Sequence, residues 1–507
     1  MTTPTEIVLA LDLGTTGIKA AAFDERLNCL HHAHAENRLR YPAPGLVEQD
    51  PAFMEASALA LARQVVGRLG EAARRVVAIV CSGQMGGVLG VDADWNPVGH
   101  FDAVLDPRSH VSRALIEPHT AYILEHCGGL TAQLEKMLYW RDHYPAAYAR
   151  LDKFVSLNGY LGGRLAGLKA DAAFTDLTFA GVNGAMHGVT GRWEADLLEA
   201  LSLPVSKLPC VVASDSVIGV LEPGLADDLG LPRGVQVLAG AGDGAATYAG
   251  SGMNRQGLAL DLSGTSCALG AYSEHFLPDV TDQYFINMKS PTSPGWFVIH
   301  INHFGRTHRW FVDAFCPELM EALGMDGAYA ALDQQASEVE PGSGGVLAVP
   351  HLSGRPSPPD PATRGAWLGF GLGFTRAHFY RSLLESHAIG YHLAKSHLQQ
   401  LSAELELREV FVAGGGSRSD FWNQLKADVL GSRYRRLAGS DLSTLRGDAL
   451  IAARARGWER VDDEPDFLRF DREYAPQPDM TARYADLVNA YRDMTDGLDP
   501  VMARLSR

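Results

Sequence analysis

Apolar residues fall into two kinds of run: short continuous ones closed by small turn residues, and longer ones in which they return every third or fourth position. The first kind predicts buried strands, the second amphipathic helices. Two of the short runs are nearly the same. Residues 10–16 read Ala-Leu-Asp-Leu-Gly-Thr-Thr, and residues 259–266 read Ala-Leu-Asp-Leu-Ser-Gly-Thr-Ser. Each leads into a second apolar run, Ile18 to Phe23 and Cys267 to Tyr272. That pattern predicts a β-hairpin with small hydroxyl residues at its tip. Two copies about half the chain apart predict two similar domains facing each other. The polar, glycine-rich stretch over 250–257 marks their boundary and divides the chain into 1–253 and 254–507.

Elsewhere strands alternate with helices, which predicts the α/β class. Val76 to Cys81 reads as a buried strand, and Phe53 to Leu69, after Asp50-Pro51, as a helix. Val410 to Ala413 is a strand entering Gly414-Gly415-Gly416. A helix follows from Ser419, which can cap it, with Trp422, Leu425 and Val429 on one face. A longer helix spans Arg376 to Leu405, with Leu384, Ala388, Tyr391, Ala394, Leu398 and Leu401 at helical spacing. The proline-rich segment 353–365 is expected to be an ordered loop or linker rather than a strand, and the tail from Met480 a packing helix.

At 507 residues the chain is too long for one hydrophobic core, so two or three domains are expected. A hydrophobic fraction of 46% and a charged fraction of 21% suit an ordinary soluble globular protein. The net charge of −16 argues against nucleic acid or an anionic membrane as partner. Cys29, Cys81, Cys127, Cys210, Cys267 and Cys316 are scattered without a CxxC pair and read as reduced thiols. No apolar run approaches the roughly 20 residues that span a bilayer, and Met1 to Glu6 lacks the pattern of a secretory leader. The expected location is therefore cytoplasmic.

The candidate chemistry sits on the hairpins. In Asp12-Leu13-Gly14-Thr15-Thr16-Gly17 the glycines let backbone N–H groups approach a phosphate, and the threonines add donors. Asp12 at a strand end can hold a hydrated Mg²⁺, and Lys19 on the returning strand can add a cation. One such hairpin could be an ordinary tight turn; the second copy, Ser263-Gly264-Thr265-Ser266, favours a nucleotide clamp. Gly414 to Gly416 is either another tight turn or an adenosine seat. Asp243 lies among small residues, Gly242, Gly244 and Ala245, where it is either a helix cap or a base with room for a substrate hydroxyl. His31, His32, His34, His300, His303 and His308 lack metal-ligand spacing.

Together these motifs resemble the FGGY family of carbohydrate kinases, within the superfamily of actin, sugar kinases and chaperone ATPases. Further segments carry the resemblance. Gly365-Ala366-Trp367-Leu368-Gly369-Phe370, His378-Phe379 and Ser382-Leu383-Leu384-Glu385 look like the C-terminal signature, with Phe370 where a smaller aliphatic residue is usual. Residues 410–431 look like the adenosine motif and 82–92 like the sugar-contacting loop. Among family members the pattern is most similar to xylulokinases and related pentulose kinases. The resemblance implies two actin-like, ribonuclease-H-like ATPase domains with an active-site cleft between them. It also implies ATP and Mg²⁺ as cofactors and a small sugar as partner, and it allows a homodimer. Asp243 would be the catalytic base and Asp12 would organise Mg²⁺. Thr15, Thr16, Gly17, Lys19, Gly264 and Thr265 would meet the polyphosphate, and Gly415 and Ser419 the adenosine. Gln84, Met85, Gly86 and Asp243 would border the sugar.

The sugar side departs from the pattern. Gln84-Met85 is followed by Gly86-Gly87 where xylulokinases have His-Gly, and the usual Trp-x-Asp-x-Arg is reduced to Val104-Leu105-Asp106-Pro107-Arg108. Tyr139 stands where a Trp is usual, with Trp140 displaced by one. Gly86 is expected to leave a space the size of an imidazole and to deprive a sugar hydroxyl of a donor, making D-xylulose a poorer substrate than a differently shaped acceptor. The acceptor is read as a ketopentose such as xylulose; a tetrulose, an alditol such as erythritol or glycerol, and a sugar acid are the alternatives. A chaperone or filament ATPase also opens on such a hairpin but needs an appended domain, and the sequence ends soon after the adenosine motif. A non-catalytic sugar sensor would not need both hairpins and both aspartates.

Overall fold

The computed structural model describes residues 6–458 and 467–505. Its first half is built on a six-stranded sheet of β1 (Ile7–Leu13), β2 (Gly17–Asp24), β3 (Cys29–Glu36), β4 (Val76–Gly83), β5 (Val217–Val220) and β6 (Gln236–Gly242), in the order β5-β6-β4-β1-β2-β3. The second half carries a seven-stranded sheet of β7 (Leu258–Ser263), β8 (Cys267–Ser273), β9 (Ile286–Lys289), β10 (Trp296–Asn302), β11 (Glu409–Ala413), β12 (Arg433–Leu437) and β13 (Phe470–Tyr474), ordered β9-β10-β8-β7-β11-β12-β13. The hairpin strands β1–β2 and β7–β8 are antiparallel, while β1–β4 and β7–β11 are parallel. The two halves thus repeat one α/β plan, and both expected hairpins lie at its centre.

All seven residues of β1 are buried, as a central strand covered on both faces requires. Ile7, Leu9, Leu11 and Leu13 pack under α1 (Pro51–Leu69), whose first turn is capped by Asp50 accepting from Ala52 N at 3.0 Å. The alternate residues Val8 and Ala10 meet a helix from the other half, α5 (Ser443–Ala455), through Leu445, Ala449, Ile451 and Ala452. In return α2 (Asp243–Gly250) lays Ala245, Tyr248 and Ala249 on Leu258 and Leu260 of β7. The halves exchange helices, and α2 and α5 cross at backbone contact. A Cβ on Gly447 would lie 1.9 Å from the Ala246 carbonyl oxygen, and one on Gly250 1.9 Å from that of Ser443. Thr247 and Thr444 share a hydroxyl hydrogen bond of 2.8 Å at the crossing.

In the second half α3 (Arg376–Leu401) and α4 (Asp420–Leu430) cover the other face of the sheet, with Trp422, Leu425 and Val429 buried as expected. Helix α3 stops four residues short of Leu405, because Ser402 turns extended (φ −151°, ψ 111°) and returns Leu405 to the core. Segment 353–365 holds a small hairpin, Arg355–Pro356 paired with Pro359–Asp360, which the sequence reading did not foresee; Arg355 Nε closes it on the Pro358 carbonyl at 3.1 Å. The tail helix α6 (Pro478–Leu505) docks Tyr484, Val488 and Tyr491 into the same core.

The crossing yields a direct test. Gly447→Ala would push a methyl against a carbonyl that no rotamer can move, so a loss of about 1–3 kcal/mol in unfolding free energy is expected. Gly67→Ala, on an exposed face of α1 where a Cβ meets nothing within 4 Å, should leave stability unchanged or slightly raised. Denaturant melts of both variants decide it; equal effects would mean that the crossing is not tight.

Candidate active site

The first hairpin places Asp12 on the face of β1 that looks toward α5, since it shares parity with Val8 and Ala10. Asp12 is 4% exposed, its Oδ1 has no hydrogen-bond partner, and Lys19 Nζ stands 3.9 Å from Oδ2. Burial pushes its carboxyl up to about 6 against the pull of Lys19. Gly14 is needed at the tip, where a Cβ would come within 2.8 Å of the Gly17 carbonyl oxygen. Thr16 is exposed, while the Thr15 hydroxyl is engaged with Gln84 Oε1 at 3.3 Å. Gln84 Nε2 in turn donates to Gln49 Oε1 at 2.7 Å, and Gln49 Nε2 to the Thr15 carbonyl at 3.0 Å. This network ties the hairpin to the 84–87 loop.

Asp243 is the first residue of α2, with Gly242 rather than Asp243 at the cap position, and its carboxylate feels the charge of Asp12. It is half-buried, and it accepts from Gly244 N at 2.7 Å and from the backbone N–H of Met85. Desolvation, reinforced by the Asp12 charge, pushes it up to about 7. A third carboxyl is present that sequence reasoning missed. Asp448 of α5 is fully buried and accepts from Ser82 Oγ at 2.8 Å, and Ser82 is the β4 residue paired with Asp12. Burial drives Asp448 well up, with Asp12 and Asp243 adding repulsion.

The second hairpin keeps Gly264 and Thr265 exposed, and its Gly264 carbonyl abuts Gly305 so closely that a Cβ there would sit at 2.0 Å. Gly414 and Gly416 pack on Ser263, whereas a Cβ on Gly415 would meet nothing within 4 Å, which leaves open space beside the hairpin. Ser419 caps α4, accepting from Trp422 N at 2.9 Å, so its hydroxyl is committed to the helix. Asp261, the apparent partner of Asp12 in the repeat, points the other way. It belongs to the face of β7 beneath α3 and α4, where Lys426, Ser263 and Tyr391 surround it. Asp261 and Lys426 are both fully buried, so this acid is neutralised within its own half.

The sugar loop corrects one expectation. Gly86 has φ +77°, and a Cβ on it would lie 2.9 Å from Val104 Cγ2. The imidazole-sized space is therefore absent: Val104 fills it, and any side chain at Gly86 would be strained. Gln84 is buried in its bonds to Thr15 and Gln49, while Met85 packs over Gly242 and its backbone N–H reaches Asp243. Arg108 is held by Asp106 at 2.7 Å and Glu48 at 3.0 Å, and Trp140 is buried with its Nε1 on Asp102 at 3.2 Å. Of the histidines, His300 is buried and His308 half-buried, and desolvation pushes them down to about 4 and about 3. His31, His32 and His34 lie on the edge strand β3.

The FGGY family of carbohydrate kinases matches the chain twice, its N-terminal domain over residues 7–250 and its C-terminal domain over 262–456. The chain belongs to the FGGY family of carbohydrate kinases. It is 24% identical to a xylulose kinase of Bacillus subtilis, with 96% of each chain covered. It is 29% identical to a glycerol kinase of Deinococcus radiodurans, with 93% of each covered. The crystal structure of a xylulose kinase from Rhodospirillum rubrum superposes with a TM-score of 0.89 at 25% identity, over 98% of this chain and all of that one. This FGGY kinase is thus a phosphotransferase acting on a small sugar-like hydroxyl compound, with the two-domain α/β fold of its family. No helix among its described residues is long and apolar enough to cross a membrane.

The donor set at the cleft, carboxylate oxygens with the orphaned Asp12 Oδ1 among them, suits a hard divalent cation such as Mg²⁺. For Asp243 the sign of the pH effect follows from its rise from 3.8 to about 7 on folding. The ionised carboxyl destabilises the fold, fully above about pH 7 and not at all below its ordinary value. Asp243→Asn should therefore melt above the parent at pH 8, with the gap closing as pH falls toward about 4. Melting curves across that range check it, and an Asn variant no more stable at pH 8 would count against the strained carboxylate.

Proposed function

We propose that this FGGY kinase transfers the γ-phosphoryl group of ATP to a hydroxyl of a ketopentose such as xylulose, with Asp243 as general base. The observation that carries the reading is the half-buried Asp243 at about 7, beside Met85 of the sugar loop and within reach of the Asp12 charge. A base near neutrality is free to take a proton at working pH and returns it readily to solvent. As the sugar oxygen bonds to the γ-phosphorus, its proton passes to Asp243 and the bond to the bridging oxygen of ADP breaks. A Mg²⁺ held by Asp12 would neutralise charge on the phosphate oxygens. Thr15, Thr16, Gly17 and Lys19 on one side, and Gly264 and Thr265 on the other, would grip the polyphosphate, with adenosine over Gly415 and Ser419.

The proposal divides the chain at 253/254, with the sugar, the first hairpin and the base in the first domain and the second hairpin and adenosine seat in the other. Gln84, Met85 and Gly86 would border the sugar, and Val104, filling the place beside Gly86, would add an apolar wall. The scatter of unpaired cysteines supports a cytoplasmic setting. A tetrulose, an alditol or a sugar acid remains the rival acceptor, and the similarity to a glycerol kinase is what favours the alditol among them.

Asp243→Asn should lower kcat by about 10²–10⁴-fold while ATP still binds, and the parent kcat/KM should fall as pH drops below about 7. Turnover within threefold of the parent would remove the base assignment. Asp12→Ala should shift half-maximal Mg²⁺ upward. ATP consumption against a panel of ketoses, alditols and sugar acids tests the acceptor: a ketopentose should rank first, and an alditol or tetrulose ahead of every ketopentose would overturn the sugar and spare the kinase chemistry.

A further inference from the structure

Nothing in the phosphoryl-transfer reading uses Asp448, yet its position is specific. It comes from α5, a helix of the second half docked on the first sheet, and it meets Ser82 at the strand position paired with Asp12. Asp12 and Ser82 share the parity of the residues that pack against α5, so all three side chains occupy one layer. Asp448 is fully buried and Asp12 is 4% exposed, and each has an Oδ1 with no hydrogen-bond partner. Lys19, 3.9 Å from Asp12, is the one cation that the site's ion pairs bring among these acids in the described residues.

Two unpartnered carboxylate oxygens buried on either side of one hydroxyl are unfavourable unless positive charge is brought between or beside them. We propose that Asp448 is the second half's contribution to the divalent-cation site, adding its charge to Asp12 across Ser82. The cation would then be held from both halves at once, through a carboxylate that arrives with α5. The inference rests on the cation reading of Asp12 given above.

Mn²⁺ serves as the probe, titrated into the whole enzyme with a non-hydrolysable ATP analogue and followed by the EPR signal of the free ion. Asp448→Asn, similar in shape to Asp448 but unable to ionise, should weaken Mn²⁺ roughly tenfold. Without metal it should melt no lower than the parent at pH 8, because one buried acid has gone. Asp448→Ser, smaller and polar, should behave the same way and stands in if the Asn variant misfolds. Mn²⁺ affinity within twofold of the parent in either folded variant, with Asp12→Asn clearly weakened, overturns the role of Asp448 alone. Loss of the cooperative melt in both variants makes Asp448 a structural residue and overturns it too. An unaltered affinity in Asp12→Asn overturns the reading of Asp12 and this proposal with it.

Discussion

Everything at the cleft depends on how closely α2 and α5 cross. Glycine at Gly250 and Gly447 lets the two helices meet carbonyl to backbone, with no side chain between them. That closeness sets where Asp243, at the start of α2, lies relative to Asp448, in the middle of α5. It also seats α5 on the Val8, Ala10 and Asp12 face of β1. A larger residue at either glycine would part the helices, and the carboxyl cluster would come apart with them.

The protein treats two buried aspartates on equivalent hairpins in opposite ways. Asp261 is neutralised inside its own half by Lys426, with Ser263 and Tyr391 completing its hydrogen bonds. Removing one member of such a pair typically costs about 3–5 kcal/mol, so the pair also ties α4, and the glycines before it, to the second hairpin. Asp12 receives no comparable partner; Lys19 is partly exposed and 3.9 Å away. One acid is built into the scaffold, and the other keeps an oxygen without a hydrogen-bond partner.

The hairpins, the capped helix after Asp50 and the strand into Gly414 were legible in the sequence, because each is written in local turn chemistry or apolar spacing; that Asp12 and Asp243 share a site was implied only by the family resemblance. What the sequence concealed depends on three dimensions. Asp448 sits in Leu-Arg-Gly-Asp-Ala-Leu, which reads as an ordinary helix with one polar position, and only the docking of α5 makes it part of the site. A signal was present in Gly447 beside it, a glycine inside a helical pattern. Gly86 misled in the other direction: an absent side chain suggested a void, but the backbone at φ +77° had already given that volume to Val104. The repeat held for the backbone and not for the side chains, since Ala-Leu-Asp-Leu occurs twice while the two aspartates face opposite sides of their sheets.

That difference of one residue in strand parity breaks the twofold likeness of the halves. Were both aspartates sealed by a lysine, the two hairpins would present the same neutral face. With Asp261 turned away and paired, only the first hairpin keeps a carboxylate oxygen without a partner. Two halves built on one plan are thereby made unlike in charge.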